Sequence, residues 1–68
     1  MIITVNGQPR ELESGATVAA VVALLEVPAD ARGVAVALDG EVVTRSSWSE
    51  TEVADGSLVE IVSAIQGG

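Results

Sequence analysis

Residues 57–68 have the sequence SLVEIVSAIQGG, which is the most informative stretch of the chain. Aliphatic and β-branched side chains dominate positions 57–65, which predicts a strand, the longest in the chain. Gln66-Gly67-Gly68 follows it directly and is predicted to be a flexible tail with no reason to be ordered. The chain is therefore predicted to finish with a strand that leads straight into two glycines.

The two faces of this strand are expected to differ. Glu60 should face water, and side chains two positions apart in a strand share a face. The set expected to be exposed is Leu58, Glu60, Val62 and Ala64. The set expected to face the interior is Val59, Ile61 and Ile65. Exposed aliphatic side chains are common on ordinary proteins. A small domain nevertheless gains nothing from exposing two large ones together, so we interpret the exposed set as a partner-binding surface.

Three dipeptides with strong turn signals divide the chain that precedes this strand. They are Asn6-Gly7, Asp39-Gly40 and Asp55-Gly56. Asn-Gly and Asp-Gly tolerate the positive φ that the type I′ turn of a two-residue hairpin requires. The first dipeptide predicts a hairpin of strands 1–5 and 8–13, and the second predicts one of strands 34–38 and 41–43. The third predicts a turn at the start of the last strand.

One helix is predicted between the two hairpins. Thr17 is predicted as its N-cap, because a threonine hydroxyl can accept a bond from an N–H of the first turn. Apolar side chains then follow at helical spacing, at Val18, Val21, Val22 and Leu25. Pro28 is expected to end the helix, and residues 29–33 are expected to form a loop. Valine lowers intrinsic helicity, so packing rather than propensity must hold this short helix.

Residues 44–52 are polar around Trp48, the only aromatic residue of the chain. They are predicted to be irregular or to form a single helical turn. We interpret Trp48 as a structural plug whose indole N–H finds a backbone acceptor. Arg45 could pair with a nearby carboxylate or contact a partner, and the sequence leaves both open.

The order strand, strand, helix, strand, strand, strand predicts an α+β fold. One main helix would cover one face of a mixed sheet of four to five strands. No linker, internal repeat or low-complexity stretch interrupts the 68 residues. Residues 1–68 are therefore predicted to be a single domain with a flexible C-terminal tail.

Composition excludes several functional classes. Cysteine and histidine are absent, which excludes disulfides, thiol nucleophiles and the commonest zinc ligands. Three arginines, no lysine and a net charge of −7 argue against binding nucleic acid. Asp39, Glu41, Glu50 and Glu52 lack the spacing of a calcium loop, so no metal site is predicted. With no apolar stretch of spanning length and no signal peptide, we expect a cytoplasmic protein without membrane contact.

The two terminal glycines could be chemically active. A Gly-Gly stem has no Cβ, so it can enter a channel that is too narrow for other residues. A carboxylate becomes a good acyl donor once it is adenylated, but the chain lacks a phosphate-binding Gly-rich loop with lysine and an activated nucleophile. Any such reaction would therefore depend on the catalytic groups of a partner. On the dipeptide alone, an ordinary frayed terminus is the simpler interpretation.

A resemblance to a known family favours a chemically active tail over an ordinary frayed terminus. The residues that carry it are Asn6-Gly7, Gly15-Ala16-Thr17-Val18, Leu24-Leu25, residues 36–43 (VALDGEVV), Arg45, Trp48, Asp55-Gly56, residues 59–62 (VEIV) and Gln66-Gly67-Gly68. In this order and at this length, the chain resembles the ubiquitin-like β-grasp proteins. Among these it is most similar to the ThiS family, the sulfur carriers of thiamine biosynthesis.

The resemblance implies a covalent co-substrate rather than an enzyme. A ubiquitin-activating-like adenylyltransferase would adenylate Gly68, and a sulfur donor would convert the acyl-adenylate to a thiocarboxylate. Thiazole synthase would then take the sulfur to build the thiazole of thiamine, with Gly67 as the spacer of the tail. The resemblance implies no catalytic residue, metal or cofactor held by this chain, because ATP and the sulfur donor are used by the activating enzyme. The free protein is expected to be a monomer.

Three other functions remain open from the sequence. The chain could carry sulfur for another pathway, such as molybdopterin, cysteine or methionine synthesis. It could be a ubiquitin-like modifier joined through Gly68 to other proteins, although the absence of lysine prevents chains built on its own lysine side chains. It could also be an interaction module in which the tail has no role.

Overall fold

The computed structural model describes residues 1–25 and 33–63. The elements in chain order are β1 (Ile2–Val5), β2 (Gln8–Glu11), α1 (Val18–Leu24), β3 (Val34–Leu38), β4 (Glu41–Val43), a 3₁₀ helix (Arg45–Glu50) and β5 (Leu58–Ser63). The predicted element order and the α+β class are confirmed. Predictions for Pro28, the loop 29–33, Ala64, Ile65 and the tail Gln66-Gly67-Gly68 fall wholly or mainly outside the described residues.

The strands form one five-stranded mixed sheet in the order β2-β1-β5-β3-β4. The last strand is therefore the central one, parallel to β1 on one side and antiparallel to β3 on the other. The β1–β2 and β3–β4 hairpins lie on either side of it. The first and last parts of the chain are thus joined directly by backbone hydrogen bonds.

Both predicted hairpin turns form as expected. Asn6 and Asp39 have φ of 51°, and Gly7 and Gly40 follow them with φ of 83° and 88°. This pair of positive values is the signature of a type I′ turn, whose twist matches that of the flanking strands. Strand β2 is shorter than the predicted 8–13. The carbonyl of Glu13 accepts instead from Ala16 N–H at 3.1 Å, which turns the chain toward the helix.

Helix α1 has the predicted N-cap and the predicted buried face. The Thr17 hydroxyl accepts from Ala20 N–H at 3.3 Å. Val18, Val21 and Val22 are buried against the sheet, and Leu25 is half-buried beside them. Val18 N–H also donates to the carbonyl of Thr51 at 2.8 Å, so the start of the helix is tied to the segment after the 3₁₀ helix.

The core lies between α1, the 3₁₀ helix and one face of the sheet. Its buried side chains are Ile3, Val5, Val18, Val21, Val22, Val36, Trp48, Val53, Val59 and Ile61. Val59 and Ile61 of β5 are among them, as the alternation of that strand predicted. Both helices of residues 1–25 and 33–63 lie on this side. On the other side of the sheet Val42, Leu58 and Val62 are exposed, and we call that side the open face.

Candidate functional site

The open face carries the residues that the sequence predicted to be exposed on the last strand. Leu58 is 57% exposed and Val62 is 63% exposed, with exposed Glu60 between them. The fourth predicted member, Ala64, lies outside the described residues. Two large aliphatic side chains are therefore exposed together on the central strand, on either side of one carboxylate.

Neighbouring strands extend this apolar surface in a way that the sequence analysis missed. Ala35 pairs with Val62 across the β3–β5 ladder, and Ala37 pairs with both Glu60 and Val42. Residues directly opposite each other in a sheet share a face, so Val42, which is 75% exposed, belongs to the same surface. We call Ala35, Ala37, Val42, Leu58 and Val62 the apolar patch. The alternation of valine and alanine in residues 34–38 indicates that Ala35 and Ala37 share one face of β3. Only the strand register shows that these alanines lie beside Val42 and Val62.

The alanines explain why the patch is broad and shallow. Small side chains at Ala35 and Ala37 keep the surface of β3 low between the taller side chains of β4 and β5. Glu60, opposite Ala37, is a charge within this otherwise apolar area. Such a surface suits a partner that offers apolar side chains and a cation, because charge complementarity sets orientation while apolar contact supplies burial.

Trp48 takes the structural place that the sequence predicted. The ring is buried, and the indole N–H donates to the carbonyl of Val43 at 2.9 Å. The guanidinium carbon of Arg45 lies 4.8 Å from the centre of the ring, within the range of a cation–π contact. Arg45, the first residue of the 3₁₀ helix, therefore packs on Trp48 of the same helix.

Residues 1–25 and 33–63 contain no detected pocket and no group of three carboxylates placed to hold a metal ion. In the same part of the chain, no helix is long and apolar enough to cross a membrane. The candidate site of these residues is the open face of the sheet, together with the strand β5 that leads from it toward Gly67 and Gly68.

In the part of the chain that the structure describes, a five-stranded mixed sheet has β5 at its centre and α1 across one face, and this arrangement defines the ubiquitin-like β-grasp class. Residues 3–68 match the model of the ThiS family, and the chain belongs to that family.

Solved structures agree with this assignment. A crystal structure of the thiamine biosynthesis protein ThiS from Geobacter metallireducens is 36% identical, with a TM-score of 0.79 and full coverage of both chains. A solution structure of a thiamine biosynthesis protein from the same organism is also 36% identical with a TM-score of 0.79, and the match covers 100% of this chain and 88% of that one.

A much longer relative contains a similar stretch. A thiazole synthase of Paramagnetospirillum magneticum is 40% identical over all 68 residues of this chain. The match covers 100% of this chain and 20% of that protein, so the chain spans about a fifth of the length of this relative.

Proposed function

We propose that this protein is a sulfur carrier of thiamine biosynthesis and that Gly68 is the residue that carries the sulfur. The observation that carries the proposal is the match to the ThiS family, which extends to residue 68 and so includes Gly67 and Gly68. The central position of β5 supports it, because β1 pairs with the start of this strand and β3 pairs with it as far as Ser63. A rigid base and a stem without side chains suit delivery of a carboxylate into a narrow active site.

The proposed chemistry proceeds in three steps. The carboxylate of Gly68 attacks the α-phosphorus of ATP in an adenylyltransferase, which forms the acyl-adenylate and releases pyrophosphate. A sulfide equivalent from a donor then displaces AMP and leaves a thiocarboxylate. Thiazole synthase finally takes the sulfur for the thiazole ring, and an oxygen atom from its substrate or from water replaces the sulfur, which regenerates the carboxylate of Gly68. In this scheme the chain is a co-substrate, and its partners supply every catalytic group.

The intact mass of a protein ending at Gly68 tests this chemistry directly. The protein is incubated with ATP, a sulfide source and its cognate activating enzyme. We expect one oxygen to be replaced by sulfur, and we expect no such change in a variant that lacks Gly68. An unchanged mass with a demonstrably active enzyme would favour a protein modifier or an interaction module instead. Subsequent incubation with thiazole synthase and its other substrates, which accept the sulfur, should restore the original mass.

We also propose that the open face is the docking surface for these partners, through Leu58, Glu60, Val62 and Ala64 together with Val42. The similarity to part of a thiazole synthase supports that enzyme as one partner. Leu58→Ser should raise the KM of the activating enzyme for the carrier about tenfold, since truncating a central apolar contact costs more than 1 kcal/mol.

A matched control for this docking test is Leu24→Ser. Leu24 is 45% exposed at the end of α1, on the side of the molecule away from the open face. The same substitution there should leave the KM within about twofold. Equal effects of Leu58→Ser and Leu24→Ser would contradict docking through the open face.

A further inference from the structure

The parallel ladder between β1 and β5 ends before β5 does. Thr4 N–H donates to the carbonyl of Ser57 at 2.9 Å, and Asn6 N–H donates to the carbonyl of Val59 at 2.9 Å. The next step along β5 is Ile61. At that level the first hairpin has already reversed at Asn6-Gly7, so the main chain of β1 continues no further.

The side chain of Asn6 occupies this step. Ile61 N–H donates to Asn6 Oδ1 at 2.8 Å, and Asn6 Nδ2 donates to the carbonyl of Ile61 at 3.1 Å. A carboxamide can present its acceptor and a donor on the same side, as do the C=O before and the N–H after one residue of a parallel strand. It therefore satisfies both polar groups of a strand residue whose own side chain is buried.

We infer that Asn6 is a positioning residue for the tail. Its amide replaces the C=O and N–H groups that one further residue of β1 would offer to Ile61, and it holds the part of β5 that leads to Gly67 and Gly68 against the sheet. This inference rests on the proposed function, in which those glycines enter the active site of a partner. Without the amide, the end of β5 would be held by β3 alone, and the tail would start from a less defined point.

The chain offers a matched control at the other hairpin. Asp39 also sits at the first position of a type I′ turn and also uses its side chain on β5, where Oδ1 accepts from Leu58 N–H at 2.9 Å. Leu58 is the first residue of β5, at the end remote from the tail. Asn6→Gly and Asp39→Gly therefore both keep a turn that glycine tolerates, and each removes a side-chain contact with β5, at opposite ends.

Amide hydrogen exchange of the free protein tests the contact without any enzyme. In Asn6→Gly, the N–H of Ile61 should exchange about tenfold faster, as expected for the loss of a hydrogen bond. The N–H of Val59 should change its exchange rate much less. Asp39→Gly should leave exchange of Ile61 within about twofold. Unchanged exchange in Asn6→Gly, or equal acceleration in the two variants, would overturn the inference.

Asn6→Asp tests whether both halves of the amide are needed. Aspartate keeps the left-handed turn residue and the acceptor for Ile61 N–H, but it has no donor and places a negative charge against the carbonyl of Ile61. We expect faster exchange of Ile61 in this variant as well. Protection equal to that of the unsubstituted protein would show that the N–H of the amide is not needed to hold Ile61.

Kinetics with the activating enzyme test the consequence for the tail. Asn6→Gly should lower the kcat of adenylation by about three- to tenfold, because the tail is less well positioned. The KM for the carrier should stay within about twofold, because the open face is intact. Asp39→Gly should leave the kcat within about twofold. Faster exchange of Ile61 without a lower kcat would overturn the positioning role. If the unsubstituted chain is not adenylated at all, the proposed function fails, whereas the exchange experiment still decides whether Asn6 holds β5.

Discussion

Residues of three turns bond to strands that are distant in sequence. Besides Asn6, Asp39 makes two hydrogen bonds with Leu58, the first residue of β5. The N–H of Asp39 donates to the carbonyl of Leu58 at 2.7 Å, and the carboxylate of Asp39 accepts from the N–H of Leu58. The Asp55-Gly56 turn likewise bonds to both polar groups of Ile2. Asp55 Oδ1 accepts from the N–H of Ile2 at 2.7 Å, and the N–H of Gly56 donates to the carbonyl of Ile2 at 2.8 Å. Turn residues in this protein therefore both reverse the chain and satisfy polar groups where backbone ladders end.

Trp48 gives a prediction at the residue scale. Trp48→Phe keeps an aromatic ring in the core but removes the N–H that donates to Val43. We expect the free energy of unfolding to fall by about 1–3 kcal/mol, from the lost hydrogen bond and the smaller buried ring. Urea unfolding followed by far-UV circular dichroism measures it, since the change removes the only tryptophan.

The control for this measurement is Ser49→Ala, an exposed position of the same 3₁₀ helix. That change should alter stability by less than about 0.5 kcal/mol. A loss in Trp48→Phe no larger than that in Ser49→Ala would contradict the structural role of the indole.

At the scale of elements, α1 depends on its neighbours. It has only seven residues, three of them valine, and a helix of this length is not stable in isolation. Its N-cap, the bond from Val18 N–H to Thr51 and the burial of one face together hold it in place. The helix is therefore expected to form together with the sheet rather than before it.

Val21→Ala tests this dependence. The side chain of Val21, on the inner face of α1, is fully buried against the sheet. Truncation should reduce the free energy of unfolding by about 2–4 kcal/mol, even though alanine is the better helix former, because it leaves a cavity in the core. Thermal and urea unfolding both measure the loss.

The same substitution at an exposed site provides the comparison. Val42 is 75% exposed on β4, and Val42→Ala should cost less than about 1 kcal/mol. If Val21→Ala were neutral or stabilising, helix propensity rather than packing would hold α1.

At the scale of the whole molecule, charge and the apolar patch are expected to act at different distances when the protein meets a partner. A net charge of −7 draws the protein toward an electropositive surface over a long range, and the apolar patch then offers contact at short range. The association rate constant with the proposed activating enzyme should therefore fall as salt rises from about 0.05 to 0.5 M, while the dissociation rate constant changes less. Stopped-flow or surface-based kinetics measure both. A salt-independent association rate would contradict electrostatic steering.

Much of the fold could be predicted from local sequence because its causes are local. Asn6-Gly7 and Asp39-Gly40 tolerate positive φ wherever they occur, so the hairpin turns followed from the residues alone. The N-cap at Thr17 and the buried face of α1 followed from hydroxyl chemistry and helical spacing. Leu58, Glu60 and Val62 were predicted to be exposed because strand alternation has a period of two.

The tertiary structure decided which of these elements became neighbours. The sheet places β5 between β1 and β3, and this brings Val42, Ala35 and Ala37 beside Leu58 and Val62. It also brings the Asn6 amide to Ile61, 55 residues away. Turn chemistry and periodicity act within a few residues and are encoded where they act. Strand order and register arise from the simultaneous burial of one face of every strand against a single core, so the complete apolar patch and the contact between Asn6 and Ile61 exist only in the folded chain.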